Sequence, residues 1–152
     1  MSYQTLDANS HAVFGAIIDG ATYVPRPAAY AVIRNAAGAV AVVEARGLCF
    51  LPGGGALPGE APEATVRREV REELARDVRL GRQLGRAVQY FRADGRHYRM
   101  EAVFFAAEFA GAPQGAGEHE LRWLAPREAA EAFFHQCHAW AVGLGGTNAA
   151  TQ

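Results

Sequence analysis

The chain has 152 residues, half of them hydrophobic and a fifth charged, with a formal net charge of −1; this describes one ordinary globular domain with no global pull toward nucleic acid or a membrane surface. No apolar run approaches the roughly 20 residues of a bilayer-spanning helix, and the polar start MSYQTLDANS lacks the basic-then-apolar layout of a secretion signal. Lysine is absent and serine occurs only at Ser2 and Ser10, which excludes Schiff-base chemistry, a Walker-type phosphate loop and a G-x-S-x-G nucleophile elbow.

In chain order, His11 to Ile18 reads as a strand and Asp19-Gly20 as a tight turn into Thr22–Val24, so residues 1–24 form an N-terminal β-hairpin extension. Pro25 and Pro27 punctuate the chain. Two β-rich runs follow, Ala29–Arg34 and Val40–Arg46, split by the turn residues Asn35 to Gly38. Cys49-Phe50-Leu51 is a short apolar segment, and Gly53 to Gly59 is a glycine-rich loop leading into a helix. Pro62 suits the first turn of that helix, Glu63 complements its dipole, and Val66, Val70 and Leu74 set an apolar stripe. Ala87–Arg92 and Tyr98–Phe109 read as strands about an Ala93-Asp94-Gly95 turn, and Leu121–Leu124 as a short strand. Pro126 opens a last helix reaching about Trp140, and residues 143–152 read as a flexible tail. Strands on both sides of one buried helix imply an α+β domain with mixed sheets. Cys49 and Cys137, far apart and outside any CxxC spacing, read as two reduced thiols of a cytoplasmic protein.

Glu69, Glu72 and Glu73 stand at i, i+3 and i+4 on the central helix, in a ~100° arc beside the apolar stripe. Three carboxylates there repel one another. Local salt bridges are one reading, since Arg68 and Arg76 each stand four residues from Glu72 and Glu63 stands four before Arg67. That reading leaves Glu69 poorly served and the glycine loop unexplained. A hard divalent cation accounts for both, because Mg²⁺ takes carboxylates and a backbone carbonyl while keeping several waters.

Gly54-x5-Glu60-x7-Arg68-Glu69-Val70-Arg71-Glu72-Glu73-Leu74 resembles the Nudix box, G-x5-E-x7-R-E-U-x-E-E-x-G-U, with every glycine, glutamate and arginine up to Glu73 at the family spacing. The resemblance implies a Nudix fold, an α/β/α sandwich with a mixed β-sheet, over residues 25–142. It implies Glu69, Glu72, Glu73 and the Gly54 carbonyl as metal ligands for Mg²⁺, with Mn²⁺ as a substitute, and Glu60 with Arg68 as a supporting ion pair. Gly117 to Trp123 resembles the segment from which such families recruit a further carboxylate, Glu118 first and Glu120 second. The implied activity is metal-dependent hydrolysis of a phosphoanhydride bond in a nucleoside diphosphate linked to another moiety, or in a nucleoside triphosphate. Water is the nucleophile, and Glu69 or Glu118 the base.

Two positions depart from the pattern: the closing glycine is Ala75 and the aliphatic after it is Arg76. A left-handed cap on alanine costs roughly 1 kcal/mol, so the helix is expected to run on toward Asp77, with Val78 taking over the apolar contact. Arg92, Arg96, His97 and Arg99 around the second hairpin read as a solvated turn, Tyr90, Phe91 and Tyr98 as core aromatics, and His135 and His138 as a packed helix end rather than a zinc site. The N-terminal hairpin invites pairing with a second copy, hence a homodimer. The partner is a small nucleotide-type substrate; no membrane is implied, and the charge argues against nucleic acid. The competing function is a catalytically silent Nudix-fold domain that binds a nucleotide and signals, but such domains typically lose box glutamates and this chain retains them.

Overall fold

A computed structural model describes residues 5–6 and 11–145. Its strands are β1 (Thr5–Leu6), β2 (Ala12–Phe14), β3 (Tyr23–Ile33), β4 (Val40–Ala45), β5 (Leu48–Phe50), β6 (Gly53–Gly55), β7 (Asp77–Ala93), β8 (Arg96–Ala110) and β9 (Glu120–Leu124). The helices are α1 (Pro62–Leu74), α2 (Pro126–Ala132) and α3 (Gln136–Gly145). Six strands form one mixed sheet in the order β1-β2-β7-β8-β3-β6, and β5-β4-β9 form a second. The α+β class and the sandwich expected from the sequence are both present.

The alternation of β3 divides the interior in two. Ala29, Ala31 and Ile33 pack with Val66, Val70 and Leu74 of α1, together with Ala41, Val43 and Phe105. Ala28, Tyr30 and Val32 face the other way, onto Met100, Phe104 and the residues Cys137, Ala141 and Val142 of α3. One-residue alternation thus serves two cores at once, as a sheet covered on both faces requires.

The N-terminal extension contains an antiparallel pair, β1 with β2, but the hairpin expected about Asp19-Gly20 pairs differently. Its turn exists, closed by Ala21 N–H donating to Ile18 O at 3.2 Å, but the arms do not pair with each other. β2 runs parallel to β7, with Val13 opposite Val88, and antiparallel to β1. Burying Ala12 in the sheet outweighs the local turn signal, and the strand on which the homodimer expectation rests is engaged within the chain's own sheet. Residues 1–4 and 7–10 of that extension lie outside the described residues.

Pro25 and Pro27 do not interrupt β3, which pairs with β8 from Tyr23 opposite His97 to Ile33 opposite Ala107. Pro27 O accepts from Ala56 N–H at 2.8 Å on the side away from β8. Residue i presents its nitrogen and carbonyl to the same side, so both imide nitrogens face the outer side, where no ladder donor is required. β7 begins at Asp77 rather than Ala87, kept in register with β8 through irregularities between Leu80 and Gly85. Asp94 (φ 52°) and Gly95 (φ 76°) form its two-residue turn.

The last helix is two. α2 stops at Ala132 because Phe133 turns extended and Phe134 N–H donates to Cys49 O at 3.0 Å, after which α3 starts. Residues 143–145 of the expected tail complete α3, and 146–152 lie outside the described residues.

Helix α1 also ends earlier than expected. Ala75 adopts the left-handed conformation (φ 54°, ψ 40°) and donates its N–H to Arg71 O at 3.0 Å. The cost is offset from the loop after β8: Gln114, Glu118 and His119 donate their N–H groups to the carbonyls of Ala75, Glu72 and Glu73, satisfying acceptors that a helix end leaves open. Arg76 lies over the Phe109 ring, 3.9 Å from its centroid, in place of an aliphatic contact and away from Glu72. Val78 is buried beside Leu74.

Ala75→Gly removes the Cβ penalty of this cap and is expected to stabilise the protein by about 0.5–1 kcal/mol. In urea melts the midpoint rises with an unchanged slope; a midpoint at or below wild type would contradict this account of the cap.

Candidate active site

The glycine loop is braced to α1 by one ion pair. Arg68 Nε donates to Glu60 Oε2 at 2.8 Å and Arg68 Nη2 to Glu60 Oε1 at 3.0 Å, while Nη2 also reaches Gly55 O at 2.9 Å. Glu60 Oε1 further accepts from Leu57 N–H at 3.0 Å and the Thr65 hydroxyl at 2.8 Å. The Arg68 hydrogen bonds first, and the Leu57 N–H second, lower the Glu60 pKa to about 2. A carboxylate so saturated orients the loop and is unsuited to moving protons.

Beside this brace the helix arc meets β6. Glu73 Oε1 accepts from Gly53 N–H at 3.2 Å. The Glu69 carboxylate lies against Gly54, where an added Cβ would fall 2.5 Å from Glu69 Oε2. A side chain at Gly54 would displace the Glu69 carboxylate from this place. Arg68 Nη1 stands 3.6 Å from Glu69 Oε2 and 3.3 Å from Glu72 Oε1. Burial, the hydrogen bond to Gly53 notwithstanding, raises the Glu73 pKa to about 9, with the charges of Glu69, Glu72 and Glu118 adding to the rise. Burial raises Glu69 as well.

Glu118 arrives on the loop that caps α1. Glu118 N–H donates to Glu72 O at 3.1 Å, and an added Cβ on the preceding Gly117 would fall 2.1 Å from Glu73 O. This glycine sets the loop directly on the helix end and brings the Glu118 charge to bear on Glu69 and Glu73. Glu120 is placed elsewhere, at the start of β9 opposite Glu44.

Arg26 is a member of the site that the sequence did not indicate. An added Cβ on Gly55 would come within 3.3 Å of the Arg26 guanidinium carbon, and the charge of Arg26 acts on Glu69. In the sequence it stands between two prolines, which suggest interruption rather than function. Arg92 and Arg96 lie exposed at the far hairpin, and Arg99 donates to the Tyr90 hydroxyl at 3.2 Å.

Among the described residues, no three His, Cys, Asp or Glu side chains gather closely enough to hold a metal ion. Each carboxylate has its own partner instead: Arg68 pairs with Glu69 and Glu72, and Gly53 N–H donates to Glu73. The donor set is nevertheless one of hard oxygens, with the Gly54 backbone beside Glu69 and the charges of Glu72 and Glu118 adding to the raised proton affinity of Glu69 and Glu73. That chemistry fits a divalent cation of the Mg²⁺ type.

A family model described as the NUDIX domain matches residues 24–140. No curated protein sequence matches the chain. Among solved structures, a MutT NUDIX hydrolase from Burkholderia pseudomallei is 28% identical, with TM-score 0.62 over 80% of this chain and 98% of that one. The E. coli dihydroneopterin triphosphate pyrophosphohydrolase shares the fold at 19% identity, TM-score 0.67, covering 82% and 99%. The E. coli ORF135 protein does so at 23% identity, TM-score 0.64, covering 86% and 96%.

Two outcomes are expected of this geometry. The folded state holds the Glu73 proton up to about pH 9, whereas an unperturbed carboxyl releases it near 4.5. The metal-free protein therefore loses stability as pH climbs between those values, and Glu73→Gln flattens that slope in urea melts run in EDTA. Equal slopes for both proteins would refute the assignment. Gly117→Ala forces the loop off the Glu73 carbonyl and is expected to destabilise by about 1–3 kcal/mol, read as a lower urea midpoint; an unchanged midpoint would show that the loop yields freely.

Proposed function

The chain belongs to the Nudix family of hydrolases, and from that premise we propose that it hydrolyses a phosphoanhydride bond in a nucleoside diphosphate linked to another moiety, or in a nucleoside triphosphate, using Mg²⁺ or Mn²⁺. One observation carries the reading: Glu69 and Glu73 are partly buried near Glu72 and Glu118 at the end of α1, where burial raises their proton affinity and the charges of those neighbours add to the rise. A fold that keeps these charges together beside the Gly54 backbone is suited to a cation.

Glu69, Glu72, Glu73, Glu118 and the Gly54 carbonyl would hold it. When bound, the cation supplies charge withdrawal from the phosphoryl oxygens and a lowered pKa for the attacking water. Glu69 takes the proton of that water as its oxygen attacks one phosphorus; the anhydride P–O bond breaks and the second phosphate leaves. Burial suits Glu69 to this role by raising its proton affinity toward that of a general base. Arg68, saturated by Glu60, holds the helix and loop in register, and Arg26 is placed to steady a phosphate. The buried free thiols Cys49 and Cys137 support a reducing, cytoplasmic setting.

Wild type, Glu69→Gln and Glu73→Gln are to be compared on a panel of nucleoside diphosphate derivatives and triphosphates, with Mg²⁺ or EDTA, and products weighed by mass spectrometry. Wild-type turnover requires the metal, and each substitution lowers kcat by about 10²–10⁴-fold. A folded wild type that binds nucleotide but cleaves nothing on the panel would instead be a binding module.

A further inference from the structure

A glycine and an aliphatic residue close the box pattern where this chain has Ala75-Arg76, and the arginine adds a contact that no aliphatic side chain can make. Arg76 Nη2 donates to Gly111 O at 2.9 Å. Its guanidinium carbon lies 3.9 Å from the centroid of the Phe109 ring, and Trp123 packs on the same ring at 6.0 Å and nearly at right angles. Arg76 Nε is buried without a hydrogen-bond partner. The guanidinium is therefore placed by the ring and by Gly111 rather than by full pairing.

Gly111 begins the loop that carries Glu118, and that loop has little of its own to pack. Glycine, alanine and proline occupy every position from Gly111 to Gly117 except Gln114, and residues 111–116 are exposed. Such a segment loses much conformational freedom when it is fixed, so its order must come from what holds it. Backbone N–H groups of Gln114, Glu118 and His119 tie its middle and end to the carbonyls of Ala75, Glu72 and Glu73. Arg76 ties its start. The charge of Glu118 acts on Glu69 and Glu73, so a loop that drifts takes a carboxylate away from the site.

We propose that Arg76 is a positioning residue of the carboxylate site: by clamping Gly111 at the Phe109 ring it fixes the 111–119 loop and thereby holds Glu118 beside Glu69 and Glu73. Arg76 acts through Glu118 and not on the reacting atoms. The inference rests on the cation reading of the carboxylate site, and it names the residue that keeps the fourth carboxylate in place.

Wild type, Arg76→Leu, Arg76→Lys, Glu118→Gln and the double variant Arg76→Leu/Glu118→Gln are first checked for cooperative melts. Amide hydrogen exchange is followed in EDTA, and Mn²⁺ binding is measured by electron paramagnetic resonance without nucleotide. Arg76→Leu, which restores the aliphatic of the box pattern, is expected to speed exchange at the Glu118 and His119 amides about tenfold relative to amides within β8. It also weakens Mn²⁺ binding about tenfold. In the Glu118→Gln background the same replacement changes Mn²⁺ affinity by less than about twofold, because the carboxylate it positions is gone. Arg76→Lys, which keeps a cation and a donor, falls between wild type and Arg76→Leu, and decides the matter if Arg76→Leu does not melt cooperatively. Unchanged exchange at Glu118 and His119, or an equal loss of Mn²⁺ affinity in both backgrounds, would overturn the proposal. If wild type takes up no Mn²⁺ the cation reading fails, and the clamp stands or falls on exchange alone. A coupled loss of Mn²⁺ in a protein that cleaves nothing would defeat the hydrolysis reading and leave this one standing.

Discussion

Three backbone donors from one loop meet the carbonyls at the end of α1, and much of the site depends on that contact. Gln114, Glu118 and His119 take the acceptors of Ala75, Glu72 and Glu73. They allow alanine to sit in a left-handed cap, stop the helix after its last box glutamate, and send the chain into β7 at Asp77. The same contact delivers Glu118. A helix that ran on through Ala75 would use those carbonyls within itself, and the loop would have no seat.

A second constraint opposes the first. The donors that organise the helix end also bring carboxylates together, and their charges add to the rise in proton affinity that burial imposes on Glu69 and Glu73. Arg68 relieves part of it, at 3.3–3.6 Å from Glu72 and Glu69, but is itself committed to Glu60. The brace and the arc therefore have different electrostatic characters although both consist of box residues. Glu60 is held ionised by full hydrogen bonding, whereas Glu73 is pushed toward its neutral form by burial. Spacing alone does not separate these roles; solvent exposure and donor count do.

The two faces of the larger sheet divide the work. The face carrying α1 buries an aliphatic core and presents the carboxylates at its end. The opposite face carries α3 and the histidine–aromatic cluster around Tyr30, Phe104 and His138. Strand β3 belongs to both, and Arg26 near its outer end acts on Glu69 and on His135. Prolines on the outer side of that strand leave its ladder with β8 intact.

The sequence by itself determined the α+β class, the helix from Pro62 with its apolar stripe, and the arc of Glu69, Glu72 and Glu73, because these rest on local periodicity and on near-neighbour spacing. The Asp94-Gly95 turn was legible for the same reason: two residues contain its whole requirement. Only the tertiary structure decided the pairing of β2 with β7, the end of α1 at Ala75, the split at Phe133 and the placement of Arg26. Each of these is set by a partner far along the chain: Val88 for Val13, the 114–119 loop for Ala75, Cys49 for Phe134, Gly55 for Arg26. Local propensity favoured a hairpin and an uninterrupted helix, but hydrogen bonds between distant segments prevailed, because a buried backbone group must find a partner wherever the fold supplies one.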